Sequence, residues 1–234
     1  EEALLVMQGQ ESMHVADAVT AEARWLAADH RYLAAGDYGI VAATRTLMEM
    51  RSEDLTAARW QTEVGFAAEV GLISSALEQF AVAAIGEGRL VVVSADSGEL
   101  LLETATRANA MTVADLDGSG SAELITAGEE GIQAWTLGSS RPVLGLAASS
   151  IASGDLTADG LDDLVYVVSG ELRVLDETGE RKVASLDSAI IPVLGDFEGD
   201  GEIEIAASTG ASVHAFRGGG LTVPGYPVSP PEHH

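Results

Sequence analysis

An all-β fold assembled from a repeated four-stranded unit is what this sequence predicts. Three observations predict it. Three acidic stretches superimpose without gaps: ADLDGSGSAELITA from Ala114, GDLTADGLDDLVYV from Gly154 and GDFEGDGEIEIAAS from Gly195. Their leading aspartates, Asp115, Asp155 and Asp196, are 40 and 41 residues apart. The composition also suits short packed strands and tight turns, with 47% hydrophobic residues, only 5% aromatic residues, and 26 Gly in 234 residues.

Each copy carries a glycine 17 residues before its leading aspartate, at Gly98, Gly138 and Gly179. Each is followed by a second apolar stretch, GIQAWTLG, GELRVLDETG or ASVHAFRGGG. One unit therefore reads as a strand, the acidic loop, a second strand, a turn, a third strand, a glycine turn and a fourth strand. Degenerate copies extend towards the N-terminus. Residues 77–98 have the same two strands, preceded by a loop, Gly71-Leu72-Ile73-Ser74-Ser75, that lacks the acids. YLAAGDYGIVAAT (32–44) matches LITAGEEGIQAWT (124–136), and ALLVMQGQESMHVAD (3–17) reads as one more copy without its first strand.

Four short strands at a period near 40 residues are the signature of a β-propeller blade. One small sheet cannot bury both of its faces, so neighbouring units must stack. The expectation is an all-β propeller of about six four-stranded blades, forming a single domain over residues 1–230. Degenerate blades occupy 1–97 and acidic-loop blades 98–230. Residues 44–64 are expected to form a long hairpin or a short helical insertion within a blade. The alternative is an amphipathic helix with Leu47, Met50, Leu55 and Ala58 inward. Pro231-Glu232-His233-His234 reads as a tag remnant, which removes both histidines from any site.

The formal net charge is −25 and the one lysine is Lys182. Nucleic acid and anionic membranes need a cationic surface and are therefore poor partners. The sequence has no cysteine, which excludes disulfides and thiolate metal sites. No apolar run is long enough to span a membrane. Glu1-Glu2-Ala3-Leu4 has no signal-peptide character, and a leader removed before this numbering is compatible with the sequence.

The acidic loops carry the chemistry. Counted from the first aspartate, oxygen donors recur at positions 1, 3, 5, 7 and 9. The first loop offers Asp115, Asp117, Ser119, the Ser121 carbonyl and Glu123. The second offers Asp155, Thr157, Asp159, the Leu161 carbonyl and Asp163. The third offers Asp196, Glu198, Asp200, the Glu202 carbonyl and Glu204. Alternating oxygens with glycine at position 4 or 6 suit a turn wrapped around a hard cation. Calcium fits best, because it accepts six to eight oxygens in flexible geometry. Up to three Ca2+ sites are expected, the third strongest because it has four candidate carboxylates against three in each of the others.

DLDGSGSAEL, DLTADGLDDL and DFEGDGEIEI resemble the FG-GAP/VCBS-type repeats of integrin α-subunit propellers and of bacterial surface and secreted proteins. The tail LTVPGYPVSP (221–230) is similar to the ending of such bacterial repeats. The resemblance covers roughly 98–230. It implies a calcium-binding, seven-bladed propeller whose loop ligands are structural. Ser119 and Thr157 depart from it, standing where carboxylates are usual.

The function expected is a non-enzymatic, calcium-stabilised module of cell adhesion or assembly. It would bind a protein or glycan partner in a secreted, periplasmic or cell-surface complex. The acidic loops would share one face, and the partner would bind the opposite face or the blade rims. The rival is a calcium-dependent propeller polysaccharide lyase or hydrolase. A third reading is one subunit of a larger surface assembly. His14, His30 and His214 are far apart in sequence, and Trp25, Trp60 and Trp135 are expected to pack between blades rather than line a glycan surface.

Overall fold

The computed structural model describes residues 4–8, 13–17, 23–26, 31–36, 39–52, 57–68, 70–74, 80–186, 191–209 and 212–229, with side chains from residue 40 onward except at 70 and 72–74. The tag-like 231–234 and His30 lie outside these residues, as do the side chains of His14, Arg24, Trp25 and Arg31. The described chain forms only strands, turns and bends, and no helix in it is long and apolar enough to cross a membrane. It divides into two compact units, Glu1–Arg107 and Ala108–His234.

The first unit holds three antiparallel sheets. β1 (Leu4–Gln8), β2 (Met13–Asp17) and β3 (Ala23–Leu26) form one of them. β4 (Arg31–Gly36), β5 (Gly39–Ala43), β6 (Leu47–Arg51) and β7 (Ala58–Glu63) form the next. β8 (Val70–Ser74), β9 (Ala81–Gly86), β10 (Arg89–Ser94) and β11 (Leu100–Ala105) form the third. The second unit repeats the plan. β12 (Ala108–Ala114), β13 (Glu123–Gly128), β14 (Gly131–Trp135) and β15 (Ser140–Leu144) form its first sheet. β16 (Ser150–Gly154), β17 (Asp163–Val168), β18 (Glu171–Asp176) and β19 (Gly179–Ser185) form its second. β20 (Pro192–Gly195), β21 (Glu204–Ser208) and β22 (Val213–Arg217) form its third. The fourth-strand place of this last sheet is marked by two isolated bridges, Val213 to Val228 and Phe216 to Thr222.

Every sheet is a meander, each strand pairing with the next in sequence, as short turns between antiparallel strands require. Glu87-Gly88 and Ser169-Gly170 join two of the hairpins with positive φ at both residues (49° and 76°, 49° and 78°). That is the primed turn whose twist matches the flanking strands.

Within each unit, successive sheets stack through their faces. The strand β17, DLVYVV, shows why. Leu164 and Tyr166 face a core with Ile125, Ala127 and Ile132 of the preceding sheet. Val165 and Val167 point the other way, into a core with Ile205, Ala207 and Phe216 of the following sheet. Side chains alternate across a strand, so a sheet covered on both faces needs an unbroken apolar run. In the first unit, Val41, Met48, Met50 and Trp60 pack against Val82, Ala84, Val91 and Val93 in the same manner. The first strands of successive sheets lie side by side, β1 by β4 by β8 in one unit and β12 by β16 by β20 in the other.

The hairpin expected over 44–64 is β6 and β7, paired with Met50 opposite Trp60. Met48 and Met50 are both fully buried, a two-residue spacing that a helix would have split between faces. Three readings of the degenerate half are corrected. Gly71-Leu72-Ile73-Ser74 is not a loop but the body of β8, paired along β9 from Val70–Ile85 to Ser74–Ala81. The segment 32–44 forms first and second strands, not second and third, because β4 lies at a sheet edge beside β8. Residues 3–17 likewise include the first-strand position, since β1 lies beside β4. A Gly/Ala-rich strand–turn–strand looks alike at either hairpin of a blade, and only packing between sheets fixes which one it is.

Candidate metal centres in the acidic loops

All three acidic loops connect the first strand of a sheet to its second, and their backbones follow one path. Positions 4 and 6 have positive φ in each: Gly118 and Gly120 (70° and 79°), Ala158 and Gly160 (58° and 88°), Gly199 and Gly201 (75° and 89°). The left-handed bend folds the loop back over its first aspartate. That carboxylate then accepts backbone N–H bonds from positions 5 and 6. Asp115 takes them from Ser119 (3.1 Å) and Gly120 (2.7 Å). Asp155 takes them from Asp159 (3.1 Å) and Gly160 (2.9 Å), and Asp196 from Asp200 (3.1 Å) and Gly201 (2.9 Å). Asp196 accepts a further bond from Gly199 N–H at 2.5 Å. These donors, Gly201 foremost, hold the Asp196 carboxyl below the ordinary aspartate range.

Position 9 is the second shared anchor. Its carboxylate accepts the N–H of position 2: Leu116 to Glu123 (3.2 Å), Leu156 to Asp163 (2.8 Å) and Phe197 to Glu204 (2.7 Å). Position 5 is the third, accepting the N–H of position 7: Ser121 to Ser119 (3.2 Å), Leu161 to Asp159 (2.8 Å) and Glu202 to Asp200 (3.0 Å). The Ser119 hydroxyl also donates to the Ser121 carbonyl (3.3 Å). Asp117 is held below its ordinary range mainly by hydrogen bonds from Ser119.

Within this common frame the loops differ in what converges. In the first, carboxylate oxygens of Asp115, Asp117 and Glu123 all lie within 4.8 Å of one another. In the third, those of Glu198, Asp200 and Glu204 do so. Asp196 stands outside the second group, its oxygens turned to the backbone. In the second loop, Asp155, Asp159 and Asp163 do not form such a group, and Thr157 at position 3 supplies no carboxylate.

The position-9 acids are the most enclosed. Glu204 has 0% exposure, and its Oε1 is buried with no hydrogen-bond partner among the described residues. A buried carboxylate oxygen without a partner costs free energy, so this atom lacks a positive or donor group. Asp163 is 2% exposed, and burial pushes its carboxyl up to about 6, with Asp176, Asp159 and Glu177 adding repulsion against the Leu156 N–H bond. Two arginines already answer part of the charge. Arg141 donates to Glu123 (2.8 Å), and Arg217 donates through Nε (2.8 Å) and Nη2 (2.5 Å) to Glu198.

Asp162, which the repeat does not single out, joins two loops. Its Oδ2 accepts the Asp115 N–H (2.8 Å), and its own N–H donates to the Asp115 carbonyl (3.2 Å). The signal was position 8 of the repeat, where the other loops carry Ala122 and Ile203. His214 is a structural residue, bonded to the Ser212 hydroxyl (2.9 Å) and stacked on Phe216. Trp60 is buried with Nε1 donating to the Ala95 carbonyl (2.7 Å), and half-buried Trp135 donates to Thr126 Oγ1 (2.8 Å).

No family model matches the chain, and no curated protein does. Solved structures do. The chain is similar to BamB from Moraxella catarrhalis at 13% identity and a TM-score of 0.59, covering 98% of this chain and 73% of that one. It is similar to BBS1N, solved in complex with ARL6DN, at 10% identity and a TM-score of 0.70, with 98% and 77% covered. Hsv2p from Kluyveromyces lactis aligns at 9% identity and a TM-score of 0.61, with 92% and 70% covered. At such identities the likeness speaks to fold alone. These neighbours are β-propeller proteins, and the stacked meander sheets of this chain have a β-propeller fold.

Proposed function

We propose that this chain is a calcium-stabilised propeller of six blades that serves as a non-enzymatic binding or assembly module in calcium-rich, extracytoplasmic surroundings. One observation carries the calcium reading. In the third loop three carboxylates converge within 4.8 Å, and one of them, Glu204, is fully buried with an oxygen left without a partner. A hard divalent cation supplies the charge that this arrangement lacks, and oxygen-only donors select calcium over softer metals. The first loop has a matching group, and the second loop has the same backbone with a weaker donor set. Six meander sheets, each four-stranded or reduced to three, support the blade count.

The binding role draws on two supports. The loop carboxylates are engaged by backbone donors, as suits a scaffold. A structural neighbour, BBS1N, was solved with a protein partner. The resemblance to FG-GAP/VCBS-type repeats supports the same reading. The test is thermal unfolding with calcium and with excess chelator at constant ionic strength. A site that binds only the native state adds about 2.7 kcal/mol at a hundredfold excess over Kd. Calcium should therefore raise the midpoint by several degrees, and an unchanged curve with no bound metal by elemental analysis refutes the calcium reading.

A further inference from the structure

Between the first and second sheets of the second unit lies a cleft of about 260 Å³, at the end of the sheets where the acidic loops emerge. Its walls are apolar: Leu116 and Val143 from one sheet, Leu161, Leu164 and Leu175 from the other. Its acids are Asp162 and Asp163 at the end of the second loop and Asp176 and Glu177 at the turn between third and fourth strands. One cation, Arg141, also lines it, and its Nη2 donates to Glu123 (2.8 Å). Asp176 is bonded by Arg181 Nε (3.1 Å) and Thr178, and Asp162 by the Asp115 N–H. Glu177 is exposed at the mouth.

We infer that this cleft receives the side chain of an arginine presented by a protein partner, a reading that deepens the binding-module proposal. The shape and the charge argue together. A metal ion needs oxygens that converge on a point, and the cleft acids are not among the groups of three that do so. They are spread around an apolar channel instead. An arginine has a methylene stem that covers apolar wall while its planar fork of five donors reaches several separated carboxylates. The cleft lies beside the candidate calcium loops, whereas the sequence pointed to the opposite face or the blade rims.

The test uses the full chain and a defined probe, the N-acetylated amide of Gly-Gly-Arg-Gly-Gly, with norleucine replacing the arginine as control. Backbone amide shifts are followed by NMR during titration, once in saturating calcium and once in chelator. Shifts should concentrate at Leu161–Leu164 and Leu175–Glu177. Glu177→Lys should raise Kd about fivefold or more, whereas the same charge change at exposed Glu129, on the opposite turn, should alter it less than about twofold. The norleucine peptide should not bind. Equal effects of Glu177→Lys and Glu129→Lys, shifts scattered over the acidic surface, or equal binding of the norleucine peptide would each overturn the assignment. Calcium that moves no loop amide while the arginine peptide still shifts the cleft would refute the metal reading and leave the cleft standing.

Discussion

Replacing Glu204 by Gln should stabilise the protein in chelator and lose most or all of that advantage in calcium. The wild-type side chain has 0% exposure; one oxygen accepts the Phe197 N–H at 2.7 Å and the other has no partner. Glutamine keeps an acceptor for Phe197, removes a buried negative charge, and puts an amide donor near the Glu198 and Asp200 carboxylates. Leaving a buried polar atom unsatisfied costs about 1–3 kcal/mol, and more when it is charged. Because the group is sealed from solvent, screening does not reduce that figure. In chelator, then, Glu204→Gln should stabilise by about 1–3 kcal/mol, a rise of several degrees at roughly 2–4 °C per kcal/mol. In calcium that advantage shrinks by about 2.3 kcal/mol. Wild type gains about 2.7 kcal/mol at a hundredfold excess over Kd, and a variant whose affinity falls a hundredfold gains only about 0.4 kcal/mol at the same concentration. Circular-dichroism melts of both proteins, with calcium and with chelator, give all four midpoints. A variant that melts lower in chelator yet keeps the full calcium increment would refute the reasoning, since Glu204 would then be a satisfied core acid and not a ligand.

Asp196→Ala should behave differently, lowering the midpoint in both conditions, because its carboxylate organises the N–H groups of Gly199, Asp200 and Gly201; a loss confined to calcium would make it a ligand instead. Ala158→Gly should stabilise by about 1 kcal/mol regardless of calcium, because Ala158 holds φ of 58° where the other loops have glycine. Urea titration measures this, and no gain would mean the loop relaxes without strain. The Asp163 carboxyl, raised from 3.8 to about 6, binds its proton more tightly in the fold than in the unfolded chain. Its contribution is therefore fully present below about pH 4 and lost as pH rises through about 6. In chelator, Asp163→Asn should flatten that decline, and an unchanged pH profile would contradict it. Trp60→Phe removes the Nε1 bond to the Ala95 carbonyl and should cost about 1–3 kcal/mol by urea unfolding of the first unit, against no change if the bond is incidental.

The acidic-loop half was legible because its signals are local. Position 9 needs a carboxylate to hold the position-2 N–H, position 1 needs one to hold positions 5 and 6, and glycine tolerates the bend at 4 and 6. The same local logic extends to the primed turn at Ser169-Gly170 and the apolar run of β17. The degenerate half lacks those markers. Gly71-Leu72-Ile73-Ser74 read as a loop because it falls where a loop does in the acidic copies, yet it pairs fully along β9. The strand order of 32–44 depends on β4 lying beside β8, which no short window encodes. Within the site, the repeat marked every position-9 acid but could not say that Asp196 turns towards the backbone while Glu198, Asp200 and Glu204 converge. The Asp162–Asp115 link was hidden for a related reason, since it joins two copies and belongs to neither.

Calorimetric titration of calcium into chelator-treated protein, repeated with Glu204→Gln, tests the central claim most directly. The account predicts saturable binding with the first and third loops as the tighter sites, and the loss of one of these sites in the variant. Absence of saturable binding, or an identical isotherm from Glu204→Gln, would contradict it.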